Sequence, residues 1–147
     1  MAQGRGFSRL SGPAGAKPIT VHAPGYSLAL AGLQLLGREA IAGARILNAL
    51  LFGLNCVMVG VATKRVTSSP SAGILSSLLM PASPTMIEVH SWALSEPLYM
   101  FLGLVGLWLL SVALSSGGKG SFVVSAVAVG LAFLTRYIGG TLVATGA

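Results

Sequence analysis

The chain has 147 residues, of which 54% are hydrophobic and 8% charged, against about a quarter charged in an average soluble domain. Nine basic and three acidic side chains cannot cover the outside of a water-soluble body of this size, so a soluble globular fold is excluded and lipid is the expected solvent. The net charge of +6 arises from scattered residues and not from a basic stripe interleaved with aromatics, which excludes nucleic acid and leaves membrane lipid as the partner.

The fold class that follows is an all-α membrane protein, a single transmembrane domain with about four transmembrane helices plus one short interfacial helix. Residues 1–23 are rich in Gly, Ser and Pro, carry Arg5, Arg9 and Lys17, and lack the apolar core of a signal peptide. They read as an extramembrane loop, and insertion is left to the internal helices. Residues 24–37 come next. Their apolar stretch, Pro24 to Leu36, is too short for a span and suits a helix lying in the interface, with His22, Arg38 and Glu39 at headgroup level.

Four longer stretches follow, at 41–63, 71–89, 94–115 and 121–140. A spanning helix needs about 20 apolar residues, because each rises about 1.5 Å and the hydrocarbon is about 30 Å thick. The first stretch ends at Lys64 and Arg65. The second carries Pro81 and Pro84, which predict a kink or an unwound turn whose freed carbonyls need neighbouring helices. The third has Pro97 in its first turn and leaves through Ser115-Ser116-Gly117-Gly118. The fourth meets Arg136. Short connections make successive helices antiparallel. Cys56, the lone cysteine, lies inside the first stretch as a small hydrophobe, so no disulfide forms within the chain.

This alternation places Lys64, Arg65 and Lys119 on one side of the membrane. All three acids, Glu39, Glu88 and Glu96, fall on the other with His22, His90 and Arg136. Ionisable groups near the membrane core are costly and tend to face water or a polar ligand, which makes Glu88, His90 and Glu96 candidate site residues. Against that, Glu88 and His90 also suit a headgroup loop, and Glu96 suits the positive end of the helix that Pro97 opens. The two-residue spacing of Glu88 and His90 fits no metal-ligand pattern, so no metal and no cofactor is expected, although a divalent ion is possible in principle.

Arg136 follows an uncharged stretch of about 22 Å of helix. It either snorkels to the interface beside Tyr137 or presents its guanidinium to a phosphate in a polar cavity. Asn48 and Asn55, seven apart, share a helix face and are expected to hydrogen-bond between helices.

The segments PITVHAPGYSLALAGLQLL (18–36), ARILNALL (44–51), ALSEPL (93–98) and GLAFLTR (130–136), in that order, resemble the front half of membrane glycosyltransferases of the GT-C type. That group includes protein O-mannosyltransferases and lipid A aminoarabinose transferases. The resemblance implies a polyprenyl-phosphate-linked sugar donor and an active site at the non-cytoplasmic face, in the plasma membrane of a prokaryote. It implies substrate-binding roles for Arg136, Glu96, His22, His90 and Glu88, and a cytoplasmic position for Lys64, Arg65 and Lys119. A bare count of positive charges gives the opposite orientation, because Arg5, Arg9, Lys17, Arg38 and Arg45 lie on the acidic side.

Enzymes of this type begin with a further helix and a loop that carries an acidic catalytic base. No acidic residue precedes Glu39 here. The expectation is therefore a fragment without its base, inactive by itself. The alternative reading is a small transporter or a non-catalytic membrane subunit, which the proline-broken second stretch would suit. The two halves show no internal repeat to support it.

Overall fold

A computed structural model describes residues 8–10, 16–18, 23–35, 37 and 39–137. The amino-terminal segment forms a small antiparallel ribbon of β1 (Ser8–Leu10) and β2 (Ala16–Pro18), with Arg9 opposite Lys17. Six helices follow: α1 (Gly25–Leu35), α2 (Ala40–Thr67), α3 (Pro70–Ala82), α4 (Pro84–Ser91), α5 (Glu96–Ser116) and α6 (Lys119–Thr135). Apart from the ribbon the described chain is all-α, and it is an integral membrane protein.

Local chemistry explains the punctuation. Ser69 caps α3 by accepting the Ala72 amide at 3.3 Å, and Pro70 occupies the first turn, where its missing N–H is no loss. α2 closes at Ser68, which adopts the left-handed conformation at φ 55°. α5 closes at Gly117 at φ 65°, whose amide bonds to the Ala113 carbonyl at 2.8 Å. Pro81 and Pro84 split the second stretch into two helices that meet at Ser83 with a 65° bend, as the loss of two amide donors and the proline ring clashes require.

Among the described residues two helices, α2 with 28 residues and α5 with 21, are long and apolar enough to cross a bilayer, and the bent pair α3–α4 raises the number to three if it counts as one span. α6 is apolar but has only 17 residues, about 25 Å of helix. Among the described residues two or three helices thus reach the length of a span, and the fourth expected stretch, 121–140, extends beyond those residues. α1, with 11 residues, is about 16 Å long and too short to cross.

The packing is that of a protein whose outside is greasy. Leu50, Val57, Leu78, Leu114 and Val123 all point outward, while the buried positions are held by small or polar residues such as Ala44, Asn48, Asn55, Ala128, Ser125 and Ala132. In lipid there is no hydrophobic gain from hiding leucine, so close backbone approach and internal hydrogen bonds hold the helices together. α2 and α3 cross at Gly60 and Gly73, where a Cβ on Gly73 would sit 2.7 Å from the Gly60 carbonyl oxygen. α5 and α6 are tied by Ser125, whose hydroxyl donates to the Gly106 carbonyl at 2.8 Å.

The bonds from α2 to α5 fix the direction of each helix. Asn55 meets Pro97 at the start of α5, and Arg65 meets Ser115 near its end, so α2 and α5 run parallel with the α3–α4 pair returning between them. Lys64, Arg65 and Lys119 therefore share one end of the bundle. Glu96 and Arg136 share the other.

Candidate functional site

Two asparagines on one face of α2 organise the end that holds Glu96 and Arg136. Asn48 is fully buried. Its Nδ2 donates to the carbonyls of Trp92 at 2.6 Å and Leu94 at 3.3 Å, and its Oδ1 accepts the Tyr26 hydroxyl at 3.3 Å. Because carbonyls only accept and the phenol must donate, the amide orientation follows from the network itself. One side chain thus pins α1 and the connection between α4 and α5 to α2. Burial raises the Tyr26 phenol above its ordinary value.

Asn55, also fully buried, repeats the device two turns further along. Its Nδ2 donates to the Pro97 carbonyl at 3.1 Å and lies 3.1 Å from His90 Nε2. His90 Nδ1 lies 2.7 Å from the Met86 carbonyl, so Nδ1 carries the proton and Nε2 accepts from Asn55. The imidazole is a cross-brace between α4 and α2, packed against Phe52 with ring centroids 4.8 Å apart.

At the end so fixed lies a cleft of about 570 Å³ between α1, the α4–α5 connection and the end of α6. Tyr26, Ser27, Ser95, Glu96, Arg136 and Tyr137 supply its polar lining. Arg136 follows the last turn of α6 and forms an ion pair through Nη1 with Glu96 Oε1. Both side chains are about a third exposed, at 37% and 33%, so neither is sealed off. An arginine that gives one N–H to a carboxylate keeps four more donors for an incoming ligand. Close approach of α1 to α6 shapes the cleft wall: a Cβ on Gly25 would stand 2.7 Å from the Leu134 carbonyl oxygen, and only glycine fits there.

The candidates read from sequence separate into three groups. Glu96 and Arg136 come together in the cleft. His90 is spent on helix contacts, and Glu88 is exposed on α4 and does not line the cleft. His22 lies outside the described residues, although Ala23, which follows it, lines the cleft. Among the described residues no three His, Cys, Asp or Glu side chains gather as a metal site would need. Asn48 and Asn55 bond between helices, as their shared face suggested. Sequence reasoning missed Tyr26 and Ser27, whose one signal was the polar start of an otherwise apolar interfacial helix.

The protein family described as dolichyl-phosphate-mannose-protein mannosyltransferase matches residues 21–147, which include every part of the cleft. The chain belongs to this family of GT-C type membrane glycosyltransferases. Neither a curated protein nor a solved structure matches it.

The asparagine network makes a direct prediction. Replacing Asn48 with alanine leaves the Trp92 and Leu94 carbonyls without their partner, and inter-helix bonds of this kind contribute about 1–2 kcal/mol in membranes. Backbone amides at 92–95 are then expected to exchange with deuterium about tenfold faster than in the unaltered chain, with little change within α6. Unchanged exchange at 92–95 would show that Asn48 does not hold the cleft wall.

Proposed function

We propose, from the premise of this family membership, that the cleft receives the phosphate end of a polyprenyl-phosphate-linked sugar, with Arg136 as the phosphate-binding group. The observation that carries the reading is the meeting of Arg136 and Glu96 in a partly open polar cleft at one end of an apolar bundle. A lipid-linked donor needs that combination. Its chain dissolves among the apolar helix faces, and its charged head needs a cation at membrane depth, where few waters screen the interaction.

In such a transfer an acceptor hydroxyl attacks the anomeric carbon while a base takes its proton. The bond from that carbon to the phosphate oxygen breaks, and negative charge gathers on the departing lipid phosphate. Arg136 answers that charge with a fork of N–H donors that matches two phosphate oxygens at once. Glu96 orients the guanidinium through the ion pair and faces the sugar or acceptor hydroxyls from the opposite wall. His22, next to the cleft-lining Ala23, has the same orienting role. Glu88 and His90 stand outside the cleft, so their contribution is indirect, through the α4–α5 connection. No carboxylate other than Glu96 lines the cleft among the described residues, so the proton-accepting base is assigned to no side chain here.

The cleft faces the non-cytoplasmic side in this reading, with Lys64, Arg65 and Lys119 in the cytoplasm. Support comes from the resemblance, against the bare charge count. A cysteine placed at Lys119 in a Cys56→Ala background is expected to resist a membrane-impermeant maleimide in intact cells, while one at Ser95 reacts. Labelling at Lys119 from outside would reverse the orientation.

The role of Arg136 is tested by binding. A charge-assisted bidentate contact contributes roughly 1.5–3 kcal/mol, and lysine keeps the charge but loses the fork. Arg136→Lys is therefore expected to weaken binding of a short-chain polyprenyl phosphate to the purified chain by about ten- to a hundredfold, with helicity unchanged. Snorkelling alone predicts equal affinities, because lysine snorkels as well as arginine. Equal values would remove Arg136 from the site.

A further inference from the structure

The opposite end of the bundle carries a second feature that the transfer site does not use. Two apolar grooves open there, and each has a lysine at the same end of the bundle. The first, about 370 Å³, runs between α2 and α3, lined by Val57, Val61, Ile74 and Leu78 with Lys64 in the last turn of α2. The second, about 420 Å³, runs between α5 and α6, lined by Leu114, Phe122 and Val123 with Lys119 in the first turn of α6. Arg65 sits in the same turn of α2 as Lys64, and its Nη2 donates to Ser115 Oγ at 3.1 Å, so it bridges α2 to the end of α5.

Charge at this end is of one sign. The chain has three acidic residues, and all belong to the other end: Glu39 precedes α2, Glu88 lies on α4 and Glu96 opens α5. Lys64 and Lys119 are exposed, and neither has a carboxylate partner among the described residues. Complementing the helix dipole explains a cation at the end of α2. It does not explain Lys119, which stands at the positive end of α6, where the dipole disfavours it.

We propose that this end binds anionic glycerophospholipid, one lipid at each groove, with one phosphate against Lys64 and another against Lys119 under the field of Arg65, and acyl chains along the apolar linings. The occupant that matches an apolar channel with a cation at its mouth is an amphiphile with an anionic head. Zwitterionic lipid offers the same chains, but its own ammonium opposes the cluster. A second copy of this chain would bring three like charges against three, which disfavours self-association through this face.

The test uses the chain in detergent with dioleoyl-phosphatidylglycerol and dioleoyl-phosphatidylcholine as the two probes, and retained lipid is read by native mass spectrometry. Phosphatidylglycerol is expected to be retained about tenfold more tightly. The double variant Lys64→Gln with Lys119→Gln alters only exposed side chains and should abolish the preference. Val61→Trp, which fills the first groove without a change of charge, should lower the number of retained lipids while leaving the preference at the second. Arg45→Gln, exposed near the start of α2 and outside the cleft, should change neither. Equal retention of the two lipids, a preference that survives the double glutamine variant, or a dimer in place of bound lipid would each overturn the proposal.

Discussion

Backbone carbonyls buried where the chain turns from α4 into α5 have to find donors within the protein, because lipid offers none. Two asparagines on α2 meet that constraint. Asn48 serves the Trp92 and Leu94 carbonyls, and Asn55 serves Pro97 and receives His90. Without them the α4–α5 connection and the start of α5 would lose their hydrogen-bonded ties to α2. Glu96 begins α5 one residue before Pro97, so the placement of the acid in the cleft depends on the second amide. The placement of Tyr26 depends on the first.

The same constraint gives the broken helix a role. The 65° bend at Ser83 separates α3 from α4, both of which pack on α2, and the connection that follows α4 forms a wall of the cleft. A proline break of this kind also occurs in transporters, yet here it is absorbed by a polar network that leads to an ion-paired arginine. Family membership makes the glycosyltransferase reading the consistent one.

Much of this was legible in the residues. Hydropathy and length showed a helical membrane protein, the prolines showed where the second stretch would break, and the seven-residue spacing of Asn48 and Asn55 showed an inter-helix role. The segregation of charge to two ends also followed from the alternation of helices. Other features depend on pairings that no periodicity encodes. His90 looked like a site residue because imidazole is rare at such depth, but both its nitrogens are used, by Met86 and by Asn55. Glu88, two residues earlier, points outward from the same short helix. The partnership of Arg136 with Glu96 spans forty residues and could not be read from either neighbourhood alone.

The central claim is that lipid-linked phosphate goes to the end of the bundle built by these two asparagines. Photo-crosslinking tests it most directly, with a polyprenyl phosphate that carries a diazirine in its first isoprene unit and peptide mapping of the labelled chain. The account predicts adducts within residues 23–27, 93–96 and 135–137, the three walls of the cleft. Adducts concentrated around Lys64 and Lys119, with none on those walls, would contradict it.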